Sequence, residues 1–236
     1  MCGRMATLLP HDAMAQLFGA AMANDLPDVP NYNVCPTVSV AVVTSETTVR
    51  RLRPMRWGFI PHWYKAANGG PLLINARAET IAEKPAFKAA CRARRCLIPA
   101  AGFYEWERPE GGEKLPWFVQ RADGAPMVFA GIWQDWEDDG QRLTTCAVVT
   151  TEATGEIARI HHRSPVILED GDWGKWLGEE GYGAALLMQP PAEGVVRTYR
   201  VGKAVNSNRA SGPDLIEPLK PEAEPPAAQT AQDSAP

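Results

Sequence analysis

The sequence predicts an α+β fold with a mainly antiparallel sheet, curled or closed into a barrel, and helices flanking it. Two observations carry this expectation: β-branched and aromatic runs are joined by residues with hairpin chemistry, and helical segments are inserted between those runs. Composition agrees with them. Of 236 residues, 45% are hydrophobic and 22% charged, ordinary values for a globular protein. The 20 glycines and 21 prolines exceed the usual share and imply many turns and short elements.

Along the chain, a first helix is expected at Asp12–Ala23, where Met14, Leu17 and Phe18 share a stripe. Val38–Thr44 and Thr48–Arg53 are β-branched runs across a short polar turn and suggest a hairpin. A helix follows from Pro85 to about Arg92, since proline suits a first helical turn. Two further hairpins are signalled: Phe103–Arg108 with Leu115–Gln120 around Gly111-Gly112, and Met127–Trp136 with Leu143–Thr151 around Asp139-Gly140. Glycine accepts the positive φ that such turns require. Short helices near Thr151–Arg159 and Asp172–Leu177 flank a strand-like Val166-Ile167-Leu168. From Glu217 the chain reads EPLKPEAEPPAAQTAQDSAP, without an aromatic residue. It cannot bury enough apolar area to offset chain entropy, so 217–236 is expected to be a disordered tail behind a single domain, 1–216.

Several function classes are disfavoured. No apolar run approaches the ~18 residues of a membrane span, and no signal core follows Met1, so a soluble, cytoplasmic protein is expected. Cysteines stand at 2, 35, 91, 96 and 146, an odd set that suits a reducing compartment. There is no phosphate-binding glycine loop of the nucleotide-dependent families, and Cys91-x4-Cys96 lacks a second ligand pair. No cofactor, nucleotide or metal is therefore expected. The net charge is −4, and Asp214, Glu217, Glu222, Glu224 and Asp233 against Lys220 account for all of it. Within the neutral remainder, Arg77, Lys84, Lys88, Arg92, Arg94 and Arg95 cluster, as do Arg50, Arg51, Arg53 and Arg56. Such clusters permit local phosphate binding, and they also read as solvated faces.

Chemistry is suggested first by Cys2. Removal of Met1 places an α-amine and a thiol on one residue, with ordinary pKa values of about 7.7–8.0 and 8.5. That pair can attack an acyl carbon, or condense with an aldehyde and close a ring. Asn75-Ala76-Arg77-Ala78-Glu79 sets an amide, a guanidinium and a carboxylate at alternate positions, which along a strand share a face. Glu105 lies between aromatics in Gly102-Phe103-Tyr104-Glu105-Trp106, where desolvation raises a carboxyl pKa towards that of a proton shuttle. His161 and His162 precede Arg163-Ser164-Pro165. Taken singly, these read equally as a buried terminus, a turn cap, a surface ion pair and a satisfied imidazole.

Together the segments resemble the SOS response-associated peptidase (SRAP) family, which processes abasic sites in DNA. The resemblance spans about residues 2–210 and rests on Cys2-Gly3-Arg4, Tyr32-Asn33-Val34 with Pro36, and Arg56-Trp57-Gly58-Phe59-Ile60-Pro61 ending at Trp63. It continues in Asn75-Ala76-Arg77 with Glu79, Gly102 to Trp106, and His161-x-Arg163-x-Pro165. Ser164 stands where a larger residue is expected, and His162 adds a second imidazole. The resemblance implies that the Cys2 amine forms an imine with the ring-opened abasic sugar and that the thiol closes a thiazolidine. It implies proton transfer by Glu105, orientation of the sugar by Asn75, and acid-base work by His161 that favours any strand-cleaving elimination. It also implies autocatalytic loss of Met1. Arg4, Arg77 and Arg163 are the expected phosphate anchors. Trp63 and Trp106 are the expected platforms for bases. The implied partner is single-stranded DNA with an abasic site, handled by a monomer. Two other readings stay open: an N-terminal-cysteine amidohydrolase, for which Asn68-Gly69 is available, and a non-catalytic single-stranded DNA binder.

Overall fold

The computed structural model describes residues 2–47 and 49–220. The chain runs β1 (Met5–Thr7), α1 (His11–Phe18), β2 (Ala20–Met22), β3 (Asn31–Val34), β4 (Ser39–Glu46), β5 (Val49–Trp57), β6 (Asn75–Arg77) and α2 (Lys88–Ala93). It continues through β7 (Arg95–Ala100), β8 (Gly102–Glu107), β9 (Leu115–Arg121), β10 (Met127–Asp138) and β11 (Gln141–Glu152). The last elements are α3 (Gly155–Ile160), β12 (Arg163–Pro165), α4 (Trp173–Leu177) and β13 (Val196–Arg200). The fold is α+β, as the hairpin pattern predicts. Among the described residues no helix is long and apolar enough to cross a membrane.

Strands β11-β10-β7-β4-β5 pair in that order, and parallel pairing of β5 with β11 (Thr145 to Arg56, Cys146 to Trp57) closes them into a barrel. A second, antiparallel sheet has the order β13-β9-β8-β1-β3. All three predicted hairpins are present. In β10–β11 the turn residues Asp139 (φ 45°) and Gly140 (φ 75°) are both left-handed, the geometry for which Asp-Gly is suited.

Strand alternation divides the barrel side chains into two sets. One set, with Ala41, Val43, Leu52, Leu97, Ala130, Ile132, Ala147 and Val149, packs against Met14 and Phe18 of α1, Ala90 of α2 and Trp173 and Trp176 of α4. Helices can cover only the outside of a closed barrel. The other set, with Val42, Met55, Trp57, Cys96, Ile98, Phe129, Cys146 and Val148, therefore fills the interior, and Cys2, Met5, Phe103 and Val119 belong to it. The N-terminal residues thus cap the barrel core, held there by the second sheet.

Some expected boundaries are corrected. The first helix ends at Phe18 because Gly19 adopts φ 58° and donates back to Ala15 and Gln16, and Ala20–Met22 then pair in parallel with β5. The α2 helix begins at Lys88, since 84–87 form a turn. In the segment after His162 the ladder to β11 is made by Arg163–Pro165, while Ile167 makes only an isolated bridge to Phe129. The paired chain also extends past the expected boundary at 216. Leu215 is buried, Pro218 bridges Val201, and the Leu219 N–H donates to Arg200 O at 2.8 Å. The rest of the expected tail, 221–236, lies outside the described residues. Truncation after Leu215 also removes the acceptor of the Tyr199 hydroxyl, Ile216 O at 3.0 Å. Losing two such bonds costs about 1–3 kcal/mol, so melting is expected to fall by several degrees. Truncation after Lys220 is expected to leave the melting temperature within about 1 °C of full length. Equal melting of the two truncations refutes the extended boundary.

Candidate active site

Cys2 is brought to the barrel core by β1, which is fastened to β8 by the Tyr104 N–H to Arg4 O (2.9 Å) and the Ala101 N–H to Ala6 O (2.8 Å). Its residue is fully buried. Asn75 stands on β6, which pairs in parallel with β11, and its Nδ2 donates to Cys2 O at 2.9 Å. On β8 the alternation sends Phe103 and Glu105 to one side and Tyr104 and Trp106 to the other. Phe103 joins the barrel interior and Tyr104 the cluster beyond the second sheet, so Glu105 faces the Cys2 side. At the start of β8, Gly102 lets the strand pass close to β9, since a Cβ there would collide with Val119 O and the Phe118 ring. His161 caps the C-terminus of α3, and its Nδ1 accepts the Arg163 N–H at 3.0 Å and lies 4.0 Å from Glu105 Oε1.

Burial dominates the electrostatics. It raises the Glu105 carboxyl above the usual carboxylate range. It pushes the Cys2 thiol well up, and the neighbouring Glu105 charge pushes it further. It lowers His161 to about 4. Two expectations change as a result. The Cys2 thiol in the full chain is a neutral S–H rather than a partly ionised nucleophile. His161 is neutral at pH 7, so its contact with Glu105 is not an ion pair, and it offers a base and an N–H donor rather than an imidazolium acid. With Nδ1 accepting from Arg163, the neutral ring carries its proton on Nε2.

Open space lies on either side. A cavity of about 430 Å³ is lined by Arg4, Glu105, Trp106, Arg108, Glu113, Lys114, His161 and Asn206. A second, of about 630 Å³, includes Trp63, Leu72, Asn75, Arg77, Lys84 and Phe87 in its wall. Trp63 is exposed there and stacks edge-on with His62. Asn75 and Arg77 thus share a cleft as their spacing predicts. Glu79, beyond the end of β6, turns away to Arg163 instead.

The expected phosphate anchors differ in kind. Arg77 is exposed. Arg4 is buried, donating to Asn33 Oδ1 (2.6 Å), Val205 O (3.0 Å) and Asn208 Oδ1, and its guanidinium lies 5.6 Å from the Trp106 ring centroid. Arg163 is buried and bidentate to Glu79 at 2.8 Å, with Thr150 O as a further acceptor. Both have a buried Nε with no acceptor among the described residues, and their other N–H groups brace the site. Trp106 is fixed by Nε1 donating to Asn206 Oδ1 at 2.7 Å. Sequence reasoning missed Asn206 and Asn208, whose only signal is a pair of amides in Asn206-Ser207-Asn208. It also missed Arg108 and Lys114, which are ordinary hairpin residues until the fold points them into the cavity.

Comparison with known proteins places this geometry in context. Residues 1–208 match the family model described as SOS response associated peptidase (SRAP). The chain is 35% identical to the abasic site processing protein YoqW of Bacillus subtilis (strain 168), over 92% of this chain and 99% of that protein. It is 31% identical to the abasic site processing protein YedK of Escherichia coli (strain K12), over 93% and 100%. A crystal structure of a protein from Bacteroides thetaiotaomicron superposes with a TM-score of 0.81 at 24% identity, covering 93% of this chain and 100% of that one. With matches of this extent, and with Cys2, Asn75, Glu105 and His161 gathered at the barrel end, the chain belongs to the SRAP family.

Proposed function

We propose that this protein processes abasic sites by capturing the lesion covalently on Cys2 in single-stranded DNA. The observation that carries the reading is the convergence of Cys2, Asn75, Glu105 and His161 between two open, partly basic clefts. Hydrolytic removal of Met1, assisted by Glu105, frees the Cys2 amine. The amine attacks C1′ of the ring-opened deoxyribose aldehyde and loses water to give an imine. The thiol sulfur then adds to the imine carbon as its proton passes to nitrogen, closing a five-membered thiazolidine. Because thiol and imine belong to one residue, the second addition is intramolecular, with a high effective molarity.

The raised thiol pKa gives Glu105 two proton transfers to perform. As carboxylate it takes the thiol proton, and as acid it returns one to the departing water. A carboxyl held up by burial suits both directions near neutrality. Asn75, already bonded to Cys2 O, orients the sugar. His161, neutral and facing Glu105, serves as base in any elimination at the 3′ side. Arg77 takes a phosphate directly, while Arg4 and Arg163 hold the frame. Trp63 and Trp106 stack flanking bases. An unpaired strand is the expected substrate, because a duplex hides the sugar within its stack. The protein is expected to act as a monomer in the cytoplasm.

The test is direct. Purified protein incubated with single-stranded DNA carrying one abasic site is expected to give a one-to-one adduct resistant to heat and denaturant, while an undamaged oligonucleotide gives none. Absence of the adduct overturns the reading; ammonia release from glutamine supports an amidohydrolase in its place. Arg77→Ala is expected to weaken single-stranded DNA binding by roughly 3- to 10-fold at low salt. It is also expected to flatten the slope of log affinity against log salt by somewhat under one, since one phosphate contact releases about that many counterions. An unchanged slope removes Arg77 from the phosphate contacts.

A further inference from the structure

We propose that His162 is a positioning residue for His161: as the outer ring of a stacked imidazole pair, it disfavours a second cation beside it and so keeps the inner ring neutral. This rests on the reading of Cys2, Glu105 and His161 as the reacting centre. The two rings lie with centroids 4.3 Å apart and planes at 29°, a stacked arrangement. His161 has an extended backbone, φ −154° and ψ 146°, and consecutive side chains of a regular strand point to opposite faces. Facing rings at adjacent positions therefore need a local departure from the strand pattern. Part of it is visible: His162 O accepts the Ala153 N–H at 3.0 Å, fastening its backbone to the end of β11, while His161 Nδ1 holds the Arg163 N–H at 3.0 Å. The pair is asymmetric in exposure, with His162 exposed and His161 partly buried.

Stacked imidazoles favour a single proton between them, because one cation lies well on a neutral ring and two cations repel. Two rings this close do not readily both carry a proton, and the less solvated inner ring is the one left neutral. The groups that act on His161 agree with this. Burial, the positive charge of the amino terminus, His162 and Arg108 of the β8–β9 hairpin all disfavour its protonation, against the Arg163 carbonyl 3.4 Å from Nδ1, which favours it. Glu105 of β8 faces the same ring at 4.0 Å, and the His162 charge also favours its ionised form. The stacked outer ring thus helps keep both groups competent as bases in mildly acidic solution.

The experiment is an NMR titration of the His161 ring in the DNA-free protein, compared with His162→Gln and His162→Lys. Loss of the outer charge in His162→Gln is expected to move the His161 midpoint up by about half a pH unit, and His162→Lys to bring it back towards wild type. The acid limb of adduct formation is expected to move with it, at rates within about twofold of wild type at pH 8. An unchanged midpoint in His162→Gln, or identical midpoints in the two variants, overturns the proposal. Because the titration needs no DNA, that failure is distinct from a failure of abasic-site capture, which appears as absence of adduct in the wild type.

Discussion

Cys2→Ser is expected to lower the yield of denaturant-resistant adduct on the order of 100-fold or more, while single-stranded DNA binding stays within about twofold. Serine keeps an α-amine able to form the imine, but that imine hydrolyses readily. In the proposed mechanism the stable product depends on sulfur adding within the same residue, where the advantage of intramolecular reaction is large. The full burial of Cys2 makes the comparison clean, because oxygen for sulfur removes little volume and touches no phosphate contact. Reduction with borohydride should trap the serine imine and restore a covalent product. The wild-type intact mass should be lower by one methionine, since an acylated Cys2 nitrogen cannot form the imine. A serine adduct as durable as the native one sinks the thiazolidine assignment, and a uniformly retained Met1 sinks the amine's role.

Glu105→Gln is expected to slow adduct formation by roughly 10²-fold, within the usual range for removal of a general acid-base group, and at the same time to stabilise the protein near neutrality. The side chain is almost wholly buried and its carboxyl is held above the ordinary range by desolvation. A group whose pKa is higher folded than unfolded lends stability at low pH and loses it as pH rises through the folded value. At pH 7 the wild type therefore carries the cost of a buried carboxylate that glutamine lacks. A gain of about 0.5–2 kcal/mol is typical of such a functional residue replaced by a neutral one, which raises the melting temperature by a few degrees in a domain of this size. His161 acts in the opposite sense. Its pKa, lowered to about 4 from 6.5, contributes stability present above 6.5 and lost as pH falls towards 4. Thermal melts of both proteins from pH 5 to 8 decide the matter: the difference between them should widen as pH rises. A glutamine variant that is less stable at pH 7 and equally slow makes Glu105 a structural residue.

The residues proposed to carry chemistry are legible because their types are unusual in their settings. A cysteine at position 2, a carboxylate among aromatics and an Asn-x-Arg at strand spacing each violate what a bland surface or core would hold. The three hairpins are legible for a related reason: their turns depend on local backbone preference, which glycine and its neighbours declare in sequence. Strands β1, β3, β7 and β13 are not declared in this way. Arg95–Ala100 is a short buried run whose strand character comes from pairing with β10 and β4, and Ala20–Met22, released from the helix by Gly19, becomes a strand because β5 offers it an edge.

The same division holds at the site. Residue types along the chain supply the candidates, a nucleophile, an acid, an amide and a set of arginines, and declare that hairpins build the sheet. The states of those groups come from the folded arrangement. Burial at the barrel end makes the Cys2 thiol neutral, lifts Glu105 and depresses His161, because the cost of a charge depends on the solvent that distant strands exclude. Arg4 and Arg163 are indistinguishable from Arg77 as sequence. Only the arrival of Asn33, Val205 and Asn208 at one, and of Glu79 and Thr150 at the other, turns them from phosphate anchors into the braces of the site. Those acceptors lie up to 204 residues away along the chain, so no local pattern could have announced them.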